Sequence, residues 1–166
     1  YDSIRSILFS AGELGQKENV EVYVVGGFVR DLLMGRPIND IDIMIVGEGI
    51  PFAKKLAVKL GKNKVVPFKK FGTALIPNND LQIEVATARK EAYKDDSRKP
   101  SKVIYTDLKG DLLRRDFTIN AMAMDIHPSR FGDLTDPFGG IADIKNKILR
   151  TPLDPDETFS EDPLRM

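Results

Sequence analysis

The stretch NDIDIMIVG, Asn39 to Gly47, decides how this chain is read. It is an apolar run that begins with two carboxylates one residue apart. Side chains alternate along a strand, so Asp40 and Asp42 share one face, about 6–7 Å apart along the chain. Ile41, Ile43 and Ile45 take the other face and predict a buried anchor. Two like charges this close repel, and each is harder to ionise beside the other. A turn at Asn39-Asp40 accounts for Asp40, but Asp42 lies inside the apolar run. A divalent cation would resolve the repulsion, and magnesium takes oxygen ligands, commonly one or two carboxylates plus substrate phosphates.

Upstream, VEVYVVGG (20–27) reads as a buried strand ending in Gly26-Gly27, and FVRDLLMG (28–35) as a short helix stopped by Gly35. Glycines let a backbone approach a ligand closely, and a helix start offers free N–H groups and a positive dipole end. Arg30 follows on the first turn, with a planar fork suited to phosphate. Glycine pair, helix and carboxylate pair all fall within positions 26–42.

Further out, helical spacing covers 2–15, closed by Gly15, and an amphipathic helix covers 50–61. Strands are predicted at 63–68, 72–76 and 80–87. In LQIEVATAR, alternation puts Gln82 and Glu84 on one face, so Glu84 is a candidate third carboxylate, with a solvent-facing glutamate the competing reading. Residues 91–102 read as a polar loop, with Lys90, Lys94, Arg98, Lys99 and Lys102 a local basic group around it that reads first as a solvated loop. RRDFTINAMA sets Arg114, Arg115 and Asp116 before an apolar segment, a place to hold a triphosphate or ribose. Residues 136–151 predict a turn, a short helix and a strand. His127, the only histidine, sits beside Pro128 in a turn and reads as a surface residue. The pattern is a sheet with helices packed on it, one α/β unit.

The chain has 166 residues, enough for one domain with a full core. Basic and acidic residues number 25 each, so bulk charge predicts no polyanion partner and any nucleic-acid site must be local. Cysteine is absent, which excludes disulfides and thiolate metal sites and fits a reducing, cytoplasmic setting. No apolar run approaches the roughly 18–20 residues of a membrane span. The segment TFSEDPLRM (158–166) reads as a helix just starting, with Ser160 as N-cap and Glu161 and Asp162 in the first turn. That pattern predicts a fragment of a longer protein.

Together, VYVVGGFVRDLLMGRPINDIDIMIVG, LLRRDFTINAMAMDI, DPFGGIADIKNKILRTP and EDPLRM resemble, in order, the head domain of class II tRNA nucleotidyltransferases and bacterial poly(A) polymerases. The resemblance runs from Val22 to Met166. It implies a polymerase-beta-like head, a small mixed and mostly antiparallel sheet flanked by helices, over 1–158, with an N-terminal helix at 1–18. Residues 159–166 would begin a neck helix. It implies magnesium-dependent, template-independent transfer from CTP or ATP to the 3′ end of tRNA. Asp40 and Asp42 would hold two magnesium ions during catalysis, with Glu84 as a third catalytic carboxylate. Gly26, Gly27, Arg30, Arg115 and Asp116 would bind the nucleotide, and 136–151 would be a flexible linking element.

Glu161, Asp162 and Arg165 match the family's base-selecting element. Its physics stands alone. Cytosine and adenine both set an exocyclic amine beside a ring-nitrogen acceptor, complementary to an aspartate and an arginine. In uracil and guanine a carbonyl replaces the amine, and unpaired buried groups cost on the order of 1–3 kcal/mol each. The body and tail that grip tRNA in this family have no counterpart in the 166 residues. The head alone leaves CCA addition, A addition and poly(A) synthesis open, and a fragment that binds nucleotide without turnover is the reading from another class.

Overall fold

A computed structural model describes residues 2–78, 81–92 and 102–161. The chain runs α1 (Asp2–Glu18), β1 (Val22–Val25), α2 (Gly27–Leu33), β2 (Asp40–Ile45), α3 (Gly49–Lys59), β3 (Val66–Phe68), β4 (Thr73–Asn78) and β5 (Leu81–Thr87). It continues with β6 (Arg89–Ala92), β7 (Lys102–Tyr105), α4 (Leu108–Leu113), β8 (Ala123–Asp125), β9 (Leu134–Thr135), α5 (Gly140–Asn146) and α6 (Pro155–Glu161).

Seven strands form one sheet in the order β3-β4-β5-β2-β1-β8-β9, and β6 and β7 pair separately. All neighbours in the large sheet are antiparallel except β2 and β5. The expected mixed, mostly antiparallel sheet flanked by helices is therefore what forms.

The alternation of β2 explains the two layers. Ile41, Ile43 and Ile45 are buried in a core shared with Ile83 and Val85 of β5, Ile7, Leu8 and Ala11 of α1, and Phe52 and Leu56 of α3. On the opposite face Met44 packs with Tyr23, Val25 and Leu112 of α4. Helix α4 covers only that end of the face. Asp40 and Asp42, nearer the start of β2, remain at the open end.

Four local expectations are corrected. Helix α1 does not stop at Gly15; it continues to Glu18 and ends where Asn19 takes φ 55°, a left-handed C-terminal stop. Gly15 is instead a place of close approach, where an added Cβ would lie 2.4 Å from Val22 Cγ2. No strand forms in 147–151. The final helix begins at Pro155, a first-turn position that suits proline, and Asp154 accepts the Asp156 N–H at 2.9 Å. Ser160 is thus in its last turn rather than at its cap. Fourth, the expected polar loop at 91–102 is bordered by paired strand, since β6 reaches Ala92 and β7 starts at Lys102.

Candidate active site

The parallel pairing of β2 with β5 sets Asp42 opposite Glu84 and Asp40 opposite Gln82. Glu84 therefore shares the open face with both aspartates. Three clefts meet at Asp42. One is bounded by Gly27, Arg30, Asp31, Asn39 and Asp40. A second is lined by Asp40, Gln82, Glu84 and Leu75. The third is lined by Glu84, Arg89, Arg114 and Arg115.

The Asp42 carboxyl is held above its ordinary pKa. Burial is the main cause; Glu84 and Asp40 add to it, and Arg115 opposes it. The expected repulsion thus exists, and the nearby guanidinium does not cancel it.

Among the described residues, no group of three or more His, Cys, Asp or Glu is placed to hold a metal ion. The Asp40–Asp42 pair still suits magnesium. It offers hard oxygen donors at an open cleft, and Asp42 carries a charge that its surroundings disfavour. An ion bound mainly by water and substrate phosphates needs no more protein ligands than this.

Gly26 joins β1 to α2 with φ 67° and ψ −133°, a region closed to side-chain-bearing residues. A Cβ there would lie 2.8 Å from Arg115 Nη1 and 3.7 Å from Asp42 Oδ2. The glycine thus makes room for Arg115 beside the carboxylates. Gly26→Ala is expected to cost about 1–3 kcal/mol in backbone strain and to displace Arg115. It should lower nucleotide affinity roughly tenfold, a loss of about 1.4 kcal/mol. Thermal melting and nucleotide titration check both effects; unchanged values would rule the close contact out.

Arg30 is more committed than its sequence position implied. Its Nε and Nη2 donate to Asp31 at 2.9 Å each, and Nη1 donates to Asn120 Oδ1 at 2.7 Å. Asn120 Nδ2 donates in turn to Asp116 Oδ1 at 3.0 Å, which also accepts the Phe117 N–H at 2.7 Å. Asp31, Arg30, Asn120 and Asp116 therefore form one hydrogen-bonded chain that starts at the first cleft, which Arg30 and Asp31 line. Asn120 escaped the sequence reading because it looks like the interior of an apolar segment.

Asp111 escaped it as well. It is fully buried and binds Arg114 and Arg115 together. The spacing i, i+3, i+4 was a visible signal. Asp136 caps α5 by accepting the N–H groups of Gly140 and Ile141 at 2.7 and 2.9 Å. Buried Asp143 accepts the Thr118 hydroxyl at 2.6 Å and pairs with Arg150 at 3.2 Å.

His127 is half-buried, with Nδ1 2.9 Å from the Ser129 hydroxyl, away from the three clefts. Asp162 and Arg165 lie outside the described residues, as do Lys94, Arg98 and Lys99, and Glu161 closes α6.

Carboxylates that repel one another, beside guanidinium groups held on separate anchors, suit a polyanion that arrives with a cation. That is the class of nucleotide-transferring head domains. The comparison with known families is specific: the model described as Poly A polymerase head domain matches residues 22–150, and the chain belongs to this family.

Its relatives are enzymes. It is 46% identical over 147 residues to an A-adding tRNA nucleotidyltransferase of Aquifex aeolicus (strain VF5), covering 89% of this chain and 17% of that protein. It is 44% identical over 147 residues to a CCA-adding enzyme of Bacillus pumilus (strain SAFR-032), covering 88% and 34%. Among solved structures, a CCA-adding enzyme in apo form II superposes with TM-score 0.87 at 41% identity, over 99% of this chain and 38% of that one. A tRNA nucleotidyltransferase complexed with a primer tRNA and an incoming ATP analog gives 0.79 at 42% identity, over 93% and 42%. The chain thus spans well under half the length of these relatives. Among the described residues, no helix is long and apolar enough to cross a membrane.

Proposed function

We propose that this chain is the catalytic head of a nucleotidyltransferase that adds CCA to tRNA 3′ ends in the cytoplasm. The supporting observation is Asp42, a disfavoured charge at the junction of three clefts, with Arg115 against it. In the reaction, the RNA 3′-hydroxyl attacks the α-phosphate of CTP or ATP, and pyrophosphate leaves.

Asp40 and Asp42 would hold magnesium, which when bound supplies positive charge that lowers the hydroxyl pKa and stabilises the leaving phosphates. Arg115 faces the phosphates and ribose from the Gly26 side, where the missing side chain lets them approach. Asp116, fixed through Asn120 to Arg30, accepts from the ribose. Arg30 keeps the start of α2 and the Gly27 backbone in place for the phosphates. Glu84 stands across from Asp42, toward the second cleft, where it can orient the attacking hydroxyl. Glu161, Asp162 and Arg165 would read the amine and ring nitrogen that C and A share. Residues 136–151 would couple movements of the head to that choice. RNA would run past Lys90, Lys94, Arg98, Lys99 and Lys102.

The test is an assay of the full-length protein on tRNA lacking CCA, with CTP alone and then ATP alone. Incorporation of CTP is expected. Incorporation of ATP only would replace CCA addition by A addition, and long A tails on unrelated RNA would indicate a poly(A) polymerase. No incorporation of either would sink the transferase reading.

The fraction of each relative that this chain spans favours a second statement about the 166 residues alone. They are expected to bind magnesium-nucleotide weakly and barely extend tRNA. Robust CCA addition by them would overturn this.

A further inference from the structure

Asp42 and Glu84 are not the only acids within reach of the arginine cleft. The third is Asp111, on α4, whose side chain is only 1% exposed. Helix α4 begins at Asp107, which caps it by accepting the Gly110 N–H at 2.8 Å. This start directs Asp111 inward, beneath the cleft that Arg89, Arg114 and Arg115 line. Its Oδ1 accepts from Arg114 Nε and Nη2, at 3.2 and 3.0 Å, and from the Arg89 backbone N–H at 3.1 Å. Its Oδ2 accepts from Arg115 Nη2 at 2.9 Å. One carboxylate thus ties together β6 and the two arginines that close α4.

Among the described residues, only one end of the Arg115 fork is engaged. Nη1 lies at the Gly26 turn near Asp42, and Nε is buried with no hydrogen-bond partner. A guanidinium this close to two site carboxylates has a competing place to go. Unanchored, it would swing onto Asp42 or Glu84 as a fork-to-fork pair, the strongest geometry open to it. That pairing would neutralise the carboxylates and withdraw the arginine from any phosphate.

We propose that Asp111 is a positioning residue. It anchors Arg115 so that the guanidinium stays beside the site carboxylates without pairing with them and faces incoming phosphate. The inference rests on the nucleotide-binding reading above. Burial works against the Asp111 charge, but Arg115, Arg114 and the Arg89 N–H together hold its carboxyl below the usual range, so it is ionised at neutral pH. The anchor is therefore a charge, and Asp111→Asn removes it while keeping the shape.

The test is a double-mutant cycle on magnesium-CTP affinity, by NMR titration of the 166-residue chain, using Asp111→Asn, Arg115→Ala and the pair. Melting curves establish that each variant folds. Asp111→Asn is expected to weaken binding about tenfold, and the double variant should match Arg115→Ala alone, since two residues that act as one unit are non-additive. Additive losses would assign Asp111 a purely structural role and overturn the proposal. A second readout needs no nucleotide: the Arg115 guanidinium NMR signals should show slow rotation in the parent chain and fast rotation, or a new partner, in Asp111→Asn. Unchanged signals would overturn the proposal even where CTP fails to bind the parent chain. Failure of binding in the parent would count against the nucleotide site instead.

Discussion

Asp42→Asn is expected to reduce nucleotidyl transfer by the full-length protein about 10³-fold or more, yet to raise the melting temperature of this chain in metal-free buffer at pH 7. The loss follows from the proposed reaction: removing a single group that stabilises developing charge costs on the order of 10²–10³-fold, and Asp42 would also hold the cation. The gain follows from the electrostatics. The carboxyl is half-buried and largely desolvated and faces Glu84 and Asp40, so its folded-state pKa is raised above the unfolded one, with Arg115 opposing only in part.

The sign of the pH dependence is set by this shift. A raised carboxyl pKa means that the folded state binds the proton more tightly. Its contribution is favourable below the unfolded value, near 3.9, and is lost as pH rises through the folded value. Asparagine mimics the protonated form at every pH. The advantage of the variant should therefore be a few degrees at pH 7 and shrink toward zero as both pKa values are passed in acid. Magnesium and CTP should reverse the order by stabilising the parent chain selectively. Equal melting at pH 7, or retained turnover, would remove Asp42 from the centre of the site.

Gly12→Ala is expected to be the most damaging small substitution in α1. Intrinsic helix propensity predicts the opposite, a gain near 1 kcal/mol for replacing an interior glycine. At this position, however, a Cβ would sit 1.8 Å from the Ile126 carbonyl oxygen and 2.9 Å from its carbon. Both are backbone atoms just beyond β8 and cannot rotate away. Overpacking typically costs 1–3 kcal/mol and occasionally more. A net loss of about 3 kcal/mol, or a fall of roughly 6–12 °C, is expected in thermal and urea unfolding. A variant as stable as the parent would mean that α1 does not rest on β8 through its backbone.

Gly12 and Gly15 also mark the limit of what the sequence makes legible. A glycine late in a helical pattern means either a stop or a close approach, and only the neighbouring element distinguishes them. Here β1 and β8 lie against the helix, so both glycines are interior. The carboxylate pair was readable because alternation within one strand is local: Ile41, Ile43 and Ile45 behave as expected, and Asp42 stays on the open face. The position of Glu84 was half-readable. Its face follows from alternation, but its place opposite Asp42 depends on the parallel pairing of strands 42 positions apart, which no local pattern specifies.

The partners of the arginines were the least visible. Arg30 was read as a phosphate fork, but Asp31 and Asn120 already engage it. Asp111 carried a usable helical spacing to Arg114 and Arg115, but an acid before two arginines reads equally well as a solvated surface pair. Its burial arises from packing under β6, a long-range fact.

Strand β1 sits between a near neighbour and a distant one. It pairs with β2, Val24 against Ile43, and with β8, Val24 against Met124, one hundred positions along the chain. Closing so long a loop is entropically costly, and pairings of this kind form slowly. During synthesis, β1, the Gly26 turn and the Asp40–Asp42 strand leave the ribosome early, while Arg115 and β8 follow much later. A nascent chain thus carries Asp40 and Asp42 well before Arg115, the guanidinium that opposes the Asp42 charge, has been added. On the proposed reading, nucleotide would become a ligand for the folded state only after β8 exists, so its binding would reward a late and slow pairing.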